Sequence, residues 1–237
     1  MTTISTSHPS SSSRTSFDLG AAQVRWTGRA EGDLGITAGD GVDARRRAVV
    51  PQPWSWLHQV HGTAVMVVDA PGSVRGADGD ALVGGPGAGA LAVFTADCAP
   101  LALASPEGIV GAVHAGWRGL RDGVIEAAAD AMRALGASAV TAALGPCIRV
   151  ECYEFGEVDL DTVAARLGPG VIGQTSDGHP ALDVAAGVQV ALAGAGVELV
   201  FDEGSCTACD GRWFSHRARR DRERQATIVT PTSVSSQ

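Results

Sequence analysis

Short apolar runs recur along the chain and are separated by turns that contain Gly, Pro or Asp, a pattern that predicts many β-strands. Eight of these runs are expected to form strands: Gln23–Trp26, Ala64–Val68, Leu91–Thr95, Leu101–Ala104, Ile109–Val113, Val140–Leu144, Val197–Phe201 and Ala226–Val229. The Gly-rich stretch Gly84–Gly89 joins two apolar runs and is expected to form a turn.

Three longer stretches follow the helical period instead. The clearest is predicted from about Arg118 to Leu135, with Gly136 as its stop. Its apolar stripe consists of Leu120, Val124, Ala128, Ala131 and Leu135. Further helices are predicted at Glu157–Leu167 and Asp183–Leu192, the latter with Asp183 as N-cap.

Strands and helices mix without strict βαβ alternation, which favours an α/β (α+β) fold of layered mixed β-sheets flanked by helices. We expect one catalytic domain over residues 17–230. Residues 1–16 are rich in Ser and Thr and are predicted to form a disordered leader, and residues 231–237 a flexible tail.

Composition and net charge argue against several classes of function. The 237 residues carry a net charge of −8, and all 18 basic residues are arginine. Because nucleic-acid binding depends on neutralising phosphates, an acidic chain argues against it. The sequence holds no apolar run long enough to cross a membrane and no apolar stretch typical of a signal peptide, so a cytoplasmic location is predicted.

The five cysteines are odd in number and mostly lie in apolar contexts, which argues against a disulfide framework. Cys206 and Cys209 form a CxxC pair without a second pair, which argues against a structural zinc site, so they are predicted to be reduced turn cysteines. A redox pair is the alternative. Cys147 and Cys152 are expected to pack in the interior.

Three segments at strand ends carry reactive side chains: Gln59–Gly62 (QVHG), Thr95–Pro100 (TADCAP) and His114–Gly119 (HAGWRG). Two imidazoles and one thiolate, from His61, Cys98 and His114, match a zinc site with an open fourth position. The same groups match a Cys–His nucleophile pair, or a buried Cys beside two structural His residues. His58 lies three positions before His61, on the opposite face of a strand, and is not counted as a ligand.

Arg118 opens the predicted long helix, where free backbone N–H groups attract anions. It is therefore a candidate phosphate or carboxylate ligand, although its long stem also allows it to extend into solvent. A second basic cluster, Arg217 to Arg224, is interrupted by Asp221 and Glu223. It predicts either a solvated face or a region that gathers anions. His179 and His216 are expected to be structural or surface residues.

The three segments in this order resemble the YfiH-like family, whose members are also called laccase-domain or polyphenol-oxidase-type proteins and are described as purine nucleoside phosphorylases. The likeness covers roughly residues 17–230. It continues through further motifs: Leu144–Ile148 (LGPCI), Glu151–Gly156 (ECYEFG), Cys206–Thr207, Trp213–Arg217 (WFSHR) and Arg224–Ala226.

The resemblance implies one Zn²⁺ ion bound by His61, Cys98 and His114. It implies phosphorolysis of adenosine, inosine or methylthioadenosine to the free base and ribose 1-phosphate, with possible adenosine deamination. The partners would be a purine nucleoside and phosphate, and the protein would be a monomer. Multicopper chemistry needs many His ligands and the chain has six His in all, so the oxidase label is discounted. A His₂Cys set can still hold a single copper ion in vitro.

Asp97 and Arg29 complete the expected site, whose catalytic residues are Cys98, His61, His114 and Asp97. Asp97 is the candidate acid/base or the partner that orients a ligand, with a turn carboxylate as the alternative. Arg118 and Arg29 are the expected substrate or phosphate contacts. The segment Thr27–Gly35 is shorter than the family pattern and has Asp33 where Asn is expected, which puts nucleoside specificity and activity in question.

The leading hypothesis is therefore a zinc-dependent purine nucleoside phosphorylase. The alternatives are a metal-independent Cys–His hydrolase and a non-catalytic family member with a degraded pocket.

Overall fold

The structure, a computed structural model, describes residues 16–232. Two six-stranded mixed sheets form its centre. The first sheet has the order β1-β2-β14-β7-β3-β5. Its strands are β1 (Ser16–Leu19), β2 (Ala22–Trp26), β3 (Trp54–His58), β5 (Arg75–Asp78), β7 (Ala90–Thr95) and β14 (Gln225–Pro231).

The second sheet has the order β13-β10-β8-β9-β6-β4. Its strands are β4 (Val65–Val68), β6 (Ala81–Gly84), β8 (Ala99–Ala104), β9 (Val110–Ala115), β10 (Thr141–Leu144) and β13 (Glu198–Asp202). A small hairpin, β11 (Ile172–Gln174) with β12 (Pro180–Leu182), lies apart from both.

The described residues also form helices, several of which pack against the sheets. They are α1 (Val42–Val49), α2 (Trp117–Asp122), α3 (Val124–Ala134), α4 (Glu157–Leu167), α5 (Val184–Gly194) and α6 (His216–Arg219). Among residues 16–232, no helix is both long and apolar enough to cross a bilayer.

Alternation along the central strands explains this layering. On β7, Leu91 and Val93 pack between the two sheets, whereas Ala92 and Phe94 face the opposite side, where Val50 follows α1. On β9, Val110 and Ala112 point between the sheets and Val113 points to the helices. Because successive strand residues face opposite sides, both strands are buried on both faces. The predicted layered α/β fold is confirmed.

The predicted helix from Arg118 to Leu135 is corrected. It is two helices, α2 and α3, which meet at Gly123 with φ +100°. A left-handed residue interrupts the hydrogen-bond ladder, and Gly adopts this conformation without steric cost. The apolar period resumes after the break, so the pattern alone does not reveal it.

Other sequence predictions agree closely with the structure. The helix α4 has the predicted bounds, and the Asp183 side chain accepts a hydrogen bond from the Ala186 N–H (2.9 Å) at the start of α5. Gly136 follows α3 with φ +105°. Ser16 and Pro231 belong to strands, and the division into leader, domain and tail stays a prediction. The rest of the predicted leader and tail lies outside the described residues, except for Thr232.

Candidate metal centre

Two connections between the sheets bring His61 and Cys98 to His114 on β9. Their ligand atoms lie within 4.8 Å of one another. The Cys98 Sγ and His61 Nε2 atoms are 3.8 Å apart. Zinc–sulfur and zinc–nitrogen bonds of about 2.3 and 2.0 Å in a tetrahedron place such atoms roughly 3.6 Å apart. The predicted convergence of these three side chains is therefore present, and the spacing fits one small metal ion.

A different local backbone structure positions each of the three side chains. His61 follows β3 in a left-handed conformation with φ +61°, and Cys98 follows Asp97, whose φ is +101°, in the turn that joins β7 to β8. His114 is a buried residue of β9 with the same alternation as Ala112, so its side chain points between the sheets. Strained turns and a rigid strand are typical supports of functional sites.

Glycines at the start of α2 allow a close approach. A Cβ atom on Gly116 would lie 2.4 Å from the Cδ2 atom of His61, and one on Gly119 would lie 2.6 Å from the carbonyl oxygen of Gly62. The helix start of the HAGWRG segment therefore packs directly against the QVHG loop. Any larger side chain at either position would displace the loop that carries His61.

Asp80, which the sequence analysis did not single out, anchors this centre. Its carboxylate is fully buried and lies 2.8 Å from the His114 Nδ1 atom. It also accepts backbone N–H hydrogen bonds from His61 (2.9 Å) and Gly62 (2.7 Å). The bond at Nδ1 leaves the Nε2 atom of His114 available to a metal. A carboxylate behind a metal-binding histidine fixes the tautomer and the ring orientation.

Asp97, predicted as the acid or base or as the orienting partner, has its carboxylate on a different segment. The Asp97 carboxylate instead accepts hydrogen bonds from the Thr207 hydroxyl (2.7 Å) and from the Arg217 N–H (2.6 Å). It therefore ties the turn before Cys98 to the segment that contains Thr207. Its role as an acid or base stays a prediction.

The thiol and the imidazole at the centre favour an ion pair. Burial alone would raise the pKa of Cys98, but the charge of His114 and hydrogen bonds from both imidazoles lower it to about 6. Burial would lower the pKa of His114, but the charge of Cys98 and the hydrogen bond with Asp80 raise it to about 9. A thiolate is the form of Cys that binds metals or attacks substrates.

The cluster opens into a cavity of about 420 Å³. This volume lies within the range of small-molecule sites. Polar lining residues beyond the cluster include His58, Gln59, Thr37, His216, Arg222 and Arg224. His58 therefore reaches the cavity although it is outside the ligand set, and its Nδ1 atom lies 2.7 Å from the Asp78 carboxylate.

The two arginines expected to bind substrate lie outside the lining of this cavity. The Arg29 guanidinium pairs with the Asp221 carboxylate and stacks on the Phe214 ring at 4.7 Å. Arg118 is exposed and stacks on the Trp117 ring at 4.3 Å. Their proposed contacts with substrate stay predictions.

The charges of Cys98 and Arg118 both act on the Tyr153 hydroxyl. Burial and the charge of Cys98 raise the pKa of this hydroxyl, and the charges of Arg217 and Arg118 oppose that shift.

The basic cluster of residues 217–224 divides into two parts. Arg217 and Arg219 donate hydrogen bonds to carbonyl oxygens of neighbouring segments. Arg224 lines the cavity but donates to the carbonyl oxygens of residues 221–223. Within residues 16–232, the guanidinium of Arg222 has neither an ion-pair partner nor a hydrogen bond, and it lines the cavity. It is the side chain best placed to receive an anion there.

The shortened segment Thr27–Gly35 lies beside the cavity. Asp33 accepts hydrogen bonds from the N–H groups of Gly35 and Arg224, both at 2.9 Å. Ile36 and Thr37, which directly follow the segment, are lining residues. The Asp at this position therefore anchors a wall of the cavity rather than filling it.

Cys206 and Cys209 are free cysteines at a turn, as predicted, but they have further neighbours. The structure places Cys152 and Glu151 beside Cys206 and Cys209, with the four ligand atoms within 4.8 Å of one another. The pair therefore has partners from a segment more than fifty residues earlier in the chain.

Together, the fold and the first cluster define a two-sheet α/β protein with a His₂Cys donor set on the wall of a small-molecule cavity. Residues 40–231 match the family model described as multi-copper polyphenol oxidoreductase laccase. The chain belongs to this family.

Proteins that are similar to this chain in sequence or in structure are consistent with its membership of this family. A purine nucleoside phosphorylase of Streptomyces griseus is 44% identical over 194 residues, which cover 78% of this chain and 77% of the relative. A Neisseria meningitidis protein of the DUF152 family has a TM-score of 0.79 and 25% identity, covering 93% of this chain and 100% of the other. The YfiH protein of Bacillus licheniformis shares the fold, with a TM-score of 0.76, 20% identity and coverage of 89% and 93%. The resemblance to YfiH-like proteins is confirmed.

Proposed function

We propose that the protein is a zinc-dependent purine nucleoside phosphorylase. The observation that carries this proposal is the convergence of His61, Cys98 and His114 on the wall of a cavity of about 420 Å³. The relatives named purine nucleoside phosphorylase support the reaction class.

The donor set fits zinc, and it can also hold a single copper ion. Two imidazoles and one thiolate are ligands that zinc accepts in tetrahedral geometry, and three protein ligands leave a position for a small molecule. A bound zinc ion would supply a fixed positive charge that attracts an anionic oxygen. His61 and His114 would bind it through Nε2, and Asp80 would hold the His114 ring in place.

Phosphorolysis forms a bond between a phosphate oxygen and C1′ of the ribose and breaks the bond from C1′ to N9 of the purine. The bonding electrons pass to the purine, which is then protonated. The protein must therefore bind an anion and supply a proton. Arg222 in the cavity and Arg118 at the start of α2 are the candidates for the anion. A bidentate guanidinium suits a phosphate group.

His58 is our candidate for the proton donor. It lines the cavity, and the contact of its Nδ1 atom with Asp78 orients the ring. This leaves Nε2 as the nitrogen available to the purine. Replacing His58 with Gln should lower kcat more than it raises the KM for nucleoside.

The test is incubation of the purified protein with adenosine, inosine or methylthioadenosine, with and without phosphate, and chromatography of the products. We expect free base and ribose 1-phosphate only when phosphate is present. Cys98→Ala should abolish the reaction, whereas Cys147→Ala, a buried thiol outside the cavity, should retain it. Conversion of adenosine to inosine and ammonia in the same assay would reveal the deaminase activity. If the wild type leaves all three nucleosides intact, the proposal fails.

The anion candidates separate by their kinetic effects. Arg222→Met should raise the KM for phosphate if the cavity arginine binds it, and Arg118→Met should do so if the α2 arginine binds it. A phosphate KM unchanged in both variants would rule out both assignments.

A metal-independent Cys–His hydrolase is the second candidate. The specific observation in its favour is the lowered pKa of Cys98, about 6, beside His114. Removal of metal separates the two functions. A thiol hydrolase keeps its activity after chelation and loses it on alkylation of Cys98, whereas the phosphorylase loses its activity on chelation and regains it when zinc is restored.

A further inference from the structure

A second cluster of metal-binding side chains lies outside the cavity. Glu151 and Cys152 come from a short 3-10 turn, Val150–Cys152, and Cys206 and Cys209 come from the loop after β13. The ligand atoms of all four lie within 4.8 Å of one another, and the Cys152 and Cys209 sulfurs are 3.1 Å apart. None of the four belongs to the set His61, Cys98 and His114.

Backbone pairing sets this arrangement. Cys147 and Cys206 form an isolated parallel bridge, and the Thr207 N–H donates to the Cys147 carbonyl oxygen at 3.1 Å. The Arg149 N–H donates to the Cys206 Sγ atom at 3.4 Å. The two segments are therefore aligned by main-chain hydrogen bonds, so that the cysteines meet without depending on a covalent bond between them.

The buried sulfur of Cys206 accepts a backbone hydrogen bond. The Arg149 N–H points at its Sγ atom from 3.4 Å. An N–H group directed at a sulfur stabilises the negative form that binds a cation.

The donor set identifies the ion class. Three thiolates and one carboxylate are ligands of zinc. Bonds of about 2.3 Å to sulfur and 2.0–2.2 Å to oxygen in a tetrahedron place the donor atoms roughly 3.5–3.8 Å apart, so small side-chain adjustments would close the site around one ion. Four protein ligands leave no open position, and this is typical of a structural site.

We propose that Glu151, Cys152, Cys206 and Cys209 bind one Zn²⁺ ion in a closed structural site, separate from the centre in the cavity. On binding, the three thiols release their protons to solvent and the carboxylate contributes one oxygen. A disulfide between Cys152 and Cys209 would use only two of the sulfurs. It would leave out Cys206 and Glu151, whose ligand atoms lie within 4.8 Å of the other two.

Two hydrogen bonds connect the segments of the closed site to the turn that carries Cys98. Thr207, directly after Cys206, donates its hydroxyl to the Asp97 carboxylate, and the Ile148 N–H donates to the Asp97 carbonyl oxygen at 2.8 Å. Asp97 is the residue before Cys98. The zinc ion therefore fixes the two segments that hold the turn carrying the thiolate of the cavity centre.

The test uses the full chain with the cavity ligands removed, His61→Ala/Cys98→Ala, so that only the second site reports. We expect one zinc ion per chain by atomic emission after gel filtration. Replacement by cobalt should give the absorption of a tetrahedral ion with thiolate charge transfer. Adding Cys209→Ser, an exposed position, should remove both signals. Adding Cys147→Ala, a matched loss of a neighbouring thiol, should retain them.

Two further measurements test the oxygen ligand and the alternative of a disulfide. Glu151→Gln in the same background should weaken cobalt binding by about tenfold and keep the thiolate charge-transfer band, because it removes only the oxygen ligand. Thiol titration of the untreated protein under denaturing conditions distinguishes the alternative. Loss of two thiols that return on reduction would show a disulfide and overturn the proposal, as would absence of zinc and of the cobalt spectrum from the reference variant. Because the cavity ligands are absent, the outcome does not depend on whether the protein is a phosphorylase.

Discussion

Replacing Asp80 with Asn tests how the cavity centre is supported. One carboxylate oxygen serves the His114 Nδ1 atom and the His61 N–H, and the other serves the N–H groups of Gly62 and Val60. Asn has the same shape but only one acceptor oxygen. Its NH₂ group must therefore face N–H donors on one side of the side chain.

The magnitude follows from the number of bonds at risk. One or two buried donors lose their acceptor, and each unsatisfied donor costs about 1–3 kcal/mol. We therefore expect the metal-free protein to lose about 2–4 kcal/mol of unfolding free energy. Loss of the carboxylate behind a metal-binding histidine typically costs 10–100-fold in metal affinity, or about 1.4–2.8 kcal/mol.

The assay is competition between the protein and a chromophoric zinc chelator, with urea unfolding of the metal-free protein as the second measurement. Both are made in a Cys209→Ser background, so that the second cluster does not contribute. Asp78→Asn is the matched control, since Asp78 also contacts a histidine Nδ1 atom at 2.7 Å, but both partners are exposed. Surface pairs contribute about 0–1 kcal/mol. If Asp80→Asn and Asp78→Asn have the same zinc affinity, the supporting role assigned to Asp80 is wrong.

Three further predictions concern the same centre. Gly116→Ala should lower kcat/KM by about 100-fold, because the new methyl group would collide with the His61 ring at 2.4 Å. Gly85→Ala is the control: a Cβ atom there has no neighbour within 4 Å, so kcat/KM should stay within about twofold of the wild type. Equal activities of the two variants would contradict the packing of Gly116 against His61. In the metal-free protein, the rate of Cys98 alkylation by iodoacetamide should rise with pH through about 6 rather than near 9. The reason is that protonated His114 favours the thiolate, which is lost only as the pH falls through about 6. A rise near pH 9 would show that the ion pair is absent. In the Cys209→Ser background, chelation should lower Tm by about 8–16 °C, since saturation at a thousandfold above Kd contributes about 4 kcal/mol and each kcal/mol shifts Tm by about 2–4 °C at this size. An unchanged Tm by calorimetry would argue against bound metal in the cavity centre.

The sequence by itself determined the elements whose causes are local. Apolar runs are sufficient to identify β7, β8 and β9, because strands buried on both faces are apolar at nearly every position. The bounds of α4 and the cap at Asp183 follow from periodicity and from a carboxylate next to free N–H groups. The family motifs also identified His61, Cys98 and His114 as one set.

Only the tertiary structure decided which distant groups share a site. Asp80 reads as an ordinary turn carboxylate before β6, and its role depends on β9 lying beside β6 in the second sheet. Cys152 and Cys209 lie 57 positions apart, and only the pairing of their two segments makes them neighbours. Side-chain chemistry and local periodicity can be derived from the order of residues alone. The distance between two donors depends on how separate strands and loops pack, and no local pattern encodes that packing.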